Sequence, residues 1–195
     1  MSRSFRTEPK RRIAARNANR NEDGRVVLPR IVERLPRIGD VHPISKSKLA
    51  QMLSRLPVEL YYGLRLIELR SRQNPVGSPF GEYSLSDKTI RLYSLPLTIH
   101  LPSISARQRR LMEVCEATIE KRADGFTISW PDAFSMGFWF YHDVFLHELG
   151  HHHRFQYPSK TGRPRRISEE ESIAHNYCYW ATVGRLSPKK YAHRK

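Results

Sequence analysis

Three residues carry chemistry by their type and spacing: His147, Glu148 and His151, within the run His147-Glu148-Leu149-Gly150-His151. On a helix, residues four apart stack on one face, so His147 and His151 can present two imidazole nitrogens to one ion about 2.0–2.1 Å away. Glu148 stands beside the first histidine, where its carboxylate can take a proton from a water on an open zinc position. Zinc would bring that water's pKa down to about 7 and polarise a carbonyl under attack. The chemistry implied is hydrolysis. His152 and His153 are each turned by about 100° or more from His151, which places them at the surface or in support of the ligands, outside the ligand set.

A catalytic zinc needs a third protein ligand and a free fourth position. Glu171 leads the next helical pattern, but Ser168-x-x-Glu171 also reads as a capping box, in which that carboxylate returns to a backbone N–H. Glu170 lies nearer the centre of the Ile173/Ala174/Tyr177/Ala181 face, and His175 offers an imidazole. On the residues alone, Glu170, Glu171 and His175 all stay open. Asp143, one turn before His147, is a candidate acceptor for a ligand histidine's second N–H, with a purely local partner as the alternative. Tyr157, Tyr177 and His100 are candidate donors to a developing oxyanion, and none of them is assigned.

The elements that must position these residues follow from the pattern around them. Phe138, Trp139, Phe140, Tyr141, Val144 and Phe145 precede the histidines, as expected of a ligand helix buried against a sheet; the helix is predicted from about Ser135 or later to His153. Residues 26–41 are broken by Pro29 and Pro36 and read as extended. Ser45 or Ser47 opens a short helix with Leu49, Met52, Leu53 and Leu56 on one stripe, ending at Pro57. A strand is predicted near 61–70, then a hairpin of Phe80 to Ser84 and Thr89 to Ser94 around Ser86-Asp87, with Leu95 to Leu101 continuing the sheet. Ser105 opens a helix expected to place Leu111, Val114, Cys115 and Thr118 on one face and to end at Gly125, before a strand from Phe126 to Trp130. Ser168 opens the last helix, closed by Gly184. A small sheet followed mainly by helices gives an α+β fold in one domain.

Composition bounds the rest. The chain has 195 residues, 39% hydrophobic, which suits one folded domain and no membrane span. Cys115 and Cys178 form no C-x-x-C pair, so a metal must be held by His and carboxylate. The net charge of +15 is concentrated: residues 1–25 contribute +5, residues 159–166 contribute +4 and residues 185–195 contribute +5. The expected organisation is a disordered basic arm over 1–25, a domain over 26–184 and a basic tail over 185–195. Such segments suit a polyanion such as nucleic acid, or serve as solvated arms. The first residues lack an apolar core for export, so the expected location is the cytoplasm.

Glu171-Ser172-Ile173-Ala174-His175 after the His147–His151 run resembles the gluzincin pattern, HExxH followed by a helix bearing E-x-x-[AS]-[DN]. With Gly81-Glu82-Tyr83 and Lys88-Thr89-Ile90-Arg91-Leu92 as a hairpin ahead of it, the region 80–184 is similar to minimal zincins of the ImmA/IrrE type. The resemblance implies a zincin-like fold, with a small mixed sheet, an HExxH helix and a following ligand-bearing helix. It implies Zn2+ held by His147, His151 and Glu171, with Glu148 as catalytic base of a peptidase acting on a protein or peptide, while the basic tails suggest that this substrate or partner is associated with nucleic acid. The chain departs from the pattern at His175, where the family has Asp or Asn. Metzincins are disfavoured because Arg154 and Tyr157 replace their glycine and third histidine. The competing expectation is a nucleic-acid-binding or interaction protein whose zinc is structural or whose site is inactive.

Overall fold

The computed structural model describes residues 27–72, 79–156, 171, 172 and 174. Within them the fold is mixed α+β, with two sheets and a long helical run. The first sheet contains β1 (Arg30–Glu33), β2 (Leu66–Arg70), β3 (Gly81–Ser84) and β4 (Thr89–Tyr93), in the order β1-β2-β4-β3. β1, β2 and β4 are parallel, and β3 is the antiparallel edge. The connection from β1 to β2 carries α1 (Lys46–Ser54) and the short α2 (Val58–Tyr61), the kind of crossover a parallel pair needs.

Side chains alternate across this sheet. Ile67, Leu69, Ile90 and Leu92 are buried on one face. Glu68, Arg70 and Arg91 lie on the other, where Glu68 pairs with Arg70 at 2.6 Å and Arg91 at 3.4 Å. The apolar face joins a core with Trp139, Phe140, Phe145 and Leu149 from the helical run. Trp139 stacks on Trp130 at 4.9 Å and meets the edge of Phe80 at 5.6 Å.

Serine caps behave as their chemistry dictates. Ser45 accepts from Lys48 N–H at 3.3 Å, and α1 buries Leu49 and Leu53. Ser105 forms a full capping box with Gln108 at the start of α3 (Ala106–Val114). The hairpin of β3 and β4 turns through residues 85–88, with Lys88 at φ 52°.

Three expectations are corrected. The strand near 61–70 begins at Leu66, because Val58–Tyr61 forms a helical turn. Leu95 to Leu101 does not extend the first sheet: only Val41 bridges Leu95, and β5 (Thr98–Leu101) joins β6 (Thr118–Arg122) and β7 (Gly125–Ser129) in a separate antiparallel sheet ordered β5-β7-β6. The helix from Ser105 stops at Val114, itself 74% exposed, and Glu116 reverses the chain at φ 60° so that Thr118 starts a strand. The overlooked signal is Asp124-Gly125, hairpin chemistry joining β6 to β7.

The helical run comprises α4 (Ala133–Phe140), a π-helical stretch (Tyr141–Phe145) and α5 (Leu146–Gln156). Asp132 caps it by accepting from Ser135 N–H at 2.8 Å, so it starts two residues before the expected Ser135. In the π stretch Leu146 N–H bonds to the Tyr141 carbonyl, five residues back. One extra residue in a turn moves the helix phase by about 100°, and such bulges recur at functional sites. No helix among the described residues is long and apolar enough to cross a membrane.

Candidate metal centre

The site is assembled on α5 just after the π stretch. His147 and His151 lie four residues apart, and their Nε2 atoms face each other at 3.0 Å. At most one of these nitrogens can carry a proton toward the other, so at least one lone pair faces inward. Glu171 completes the group: its carboxylate oxygens lie 3.1 Å from His147 Nε2 and 3.4 Å from His151 Nε2. A tetrahedron with corners 2.0–2.1 Å from its centre has edges of about 3.3 Å, close to the gap between the two imidazole nitrogens and to the approach of one Glu171 oxygen to each of them, so the three groups can close on one ion. Two imidazoles and a carboxylate can thus hold a metal ion. The Glu171 side chain is 47% exposed while the two histidines are 13% and 18% exposed, so the group is reached by solvent from the Glu171 side.

The approach of Glu171 to α5 has a visible cause. Gly150 sits between the two histidines in sequence and faces Ala174, one turn after Glu171. A Cβ on Gly150 would lie 3.1 Å from Ala174 Cα and 3.2 Å from its carbonyl oxygen. Ala174 is buried, and Glu171, Ser172 and Ala174 are helical. Two small residues let the segments touch at backbone distance, which carries the carboxylate to the histidines. The E-x-x-A spacing therefore has a steric reason here, and the capping role considered for Glu171 involves Ser168, which lies outside the described residues.

Glu148 is on the buried side of the same helix, 8% exposed, against the edge strand β3. Burial pushes its carboxyl up to about 8, with repulsion from Glu171 and Glu82 adding to the rise and a hydrogen bond from Tyr83 N–H opposing it. In the metal-free protein this carboxyl holds its proton near neutrality.

The neighbouring histidines are not interchangeable. His152, expected at the surface or in support, is fully buried: its Nε2 donates to the Tyr62 carbonyl at 2.9 Å and its Nδ1 faces the Tyr83 hydroxyl at 3.2 Å. Burial holds it neutral, with its pKa lowered to about 4. It fastens α5 to β3 and to the residues before β2. His153 is half-buried and likewise lowered to about 4 by burial. Asp143 is buried and accepts from Gln108 at 3.2 Å and Arg107 at 3.5 Å, so its local partners lie on α3. His100 lies on β5 in the second sheet, 3.5 Å from Asp124. Glu170, His175, Tyr157 and Tyr177 lie outside the described residues, as do the basic segments 1–25, 159–166 and 185–195.

No protein-family model, no curated protein and no solved structure matches the chain.

Proposed function

We propose that the chain is a zinc-dependent peptidase of minimal gluzincin type with a zincin-like fold. His147, His151 and Glu171 would be the metal ligands, and Glu148 the base. The observation that carries this reading is the convergence of one donor atom each from His147, His151 and Glu171 within 4.8 Å of one another, with the buried carboxyl of Glu148 on the helix that bears the two histidines. The donor set of two nitrogens and one carboxylate oxygen is that of catalytic zinc sites, which leave one position open. When bound, zinc supplies a Lewis acid, a water of lowered pKa and a positive charge that favours the ionised form of Glu148.

The chain's own residues supply the remainder. Glu148 would accept the proton from the attacking water and pass it to the departing amine, a role suited to a carboxyl whose pKa is lifted toward the working pH. β3 is an edge strand, and an extended peptide can add to such an edge through main-chain hydrogen bonds. The charge concentrated in the three basic segments supports a substrate or partner associated with nucleic acid, and a cytoplasmic setting is part of the same reading.

The test is Glu148→Gln. The variant keeps one zinc per chain and loses hydrolysis of a quenched-peptide library by about two to four orders of magnitude, the range for a positioned acid–base group. Full turnover by the variant removes Glu148 from its role. A zinc-loaded wild-type protein with four protein ligands and no solvent ligand would favour the competing reading, an interaction protein with a structural site.

A further inference from the structure

Among the described residues β3 is an edge strand of the first sheet, and its register with β4 is set by Gly81↔Leu92, Glu82↔Arg91 and Tyr83↔Ile90. Tyr93 N–H donates to the Phe80 carbonyl at 3.0 Å. In an antiparallel pair, alternate residues turn their backbone groups to the partner and away from it. Phe80, Glu82 and Ser84 therefore bond toward β4, while Gly81 and Tyr83 turn their N–H and C=O outward. The outward N–H of Tyr83 meets the Glu148 carboxylate.

That approach depends on a side chain being absent. A Cβ on Gly81 would lie 2.9 Å from Val144 Cγ1, 3.1 Å from Glu148 Cγ and 3.2 Å from Leu92 Cδ2. Gly81 is buried and its φ is not positive, so it is contact with neighbouring side chains, and not backbone conformation, that favours glycine here. A second tie holds the same strand in place: the Tyr83 hydroxyl meets His152, and its ring stacks on Phe155 at 5.9 Å.

We infer that Gly81 is a positioning residue, whose missing side chain lets the edge of β3 close on α5 so that the Tyr83 N–H holds the Glu148 carboxylate in place. The catalytic consequence rests on the proposed role of Glu148 as base, while the contact itself does not. The edge strand anchors the base through the Tyr83 N–H, and a peptide added to it would bond to the outward groups that remain, the Gly81 N–H and C=O and the Tyr83 C=O.

Two variants and one spectroscopic readout test this. In Gly81→Ala, zinc stoichiometry stays at the wild-type level, the Tyr83 amide exchanges with solvent about tenfold faster or more as its acceptor is pushed away, and kcat on the best library peptide falls by about ten- to a hundredfold with KM retained. The double variant Gly81→Ala/Val144→Ala removes the tightest contact, restores room in the core and leaves the clash with Glu148, so kcat stays low. In Glu148→Ala the Tyr83 amide loses its acceptor and exchanges faster with Gly81 intact. An unchanged Tyr83 amide in both Gly81→Ala and Glu148→Ala overturns the inference, as does recovery of wild-type kcat in the double variant. A wild-type protein without peptidase activity sinks the function proposed above, yet the amide measurement still decides the contact.

Discussion

Substitution of Gly150 by alanine separates the stability of α5 from the integrity of the metal site. Ordinary van der Waals contact begins at 3.4 Å, so a Cβ placed 3.1 Å from Ala174 Cα forces a displacement of a few tenths of an ångström. The obstacle is backbone on both sides, so no side-chain rotation relieves it. Glu171 lies one turn before Ala174, and its carboxylate moves by a similar amount, beyond the ±0.2 Å or so that metal–ligand bonds tolerate. Zinc affinity of Gly150→Ala falls by about 10–100-fold, the range for displaced support around a metal ligand. Helix propensity works in the opposite direction: alanine in place of an interior glycine favours the helix by about 1 kcal/mol, which offsets much of the cost of the clash, about 1–3 kcal/mol, so the metal-free variant melts within a few degrees of the wild type. The assay is competition for zinc against a chromophoric chelator, alongside thermal melts in EDTA. Gly150→Val enlarges the same clash and lowers affinity further. Wild-type zinc affinity in both variants would refute the claim that Gly150 and Ala174 set the position of Glu171.

Other predictions follow from single contacts. Ser105→Ala removes the hydroxyl of the capping box on α3 and costs about 1 kcal/mol in urea denaturation; an unchanged midpoint would mean that the cap contributes nothing. Burial raises the Cys115 thiol from 9.0 to about 11, so the folded protein keeps a proton that the unfolded chain releases; stability therefore falls as pH rises from about 9 to 11, and Cys115→Ala flattens that limb of the pH–stability curve. If the basic segments bind nucleic acid, affinity for an unspecific DNA duplex falls steeply between 50 and 200 mM salt, by a factor on the order of 10³ for about six phosphate contacts, and removal of residues 1–25 and 185–195 reduces the slope.

Much of the site was legible in the sequence because its spacing is a property of one helix. His147 and His151 share a face whatever they pack against, and the apolar residues ahead of them announce a buried helix. Ser45 and Ser105 announced caps for the same reason: capping is local. What was not legible depends on tertiary partners. Thr98–Leu101 reads as extended, but nothing in its own residues says that it pairs with Gly125–Ser129 instead of the first sheet. The strand Thr118–Arg122 is mostly exposed and lacks apolar alternation, so nothing in its own residues marks where the preceding helical pattern stops. The π turn has no sequence signature. The depth of His152 and the tight packing at Gly81 and Gly150 emerge only when β3 and Ala174 are set against α5, since a glycine shows no side chain whose pattern could be read.

The central claim is tested most directly by X-ray absorption at the zinc edge of the metal-loaded protein, with wild type and His151→Ala measured side by side. The account predicts one zinc per chain, two imidazole nitrogens and oxygen donors at about 2.0–2.2 Å in the wild type, and loss of the ion or of one imidazole in the variant. Sulfur in the shell, a wild-type protein that takes up no zinc, or a shell unchanged by removal of His151 would contradict it.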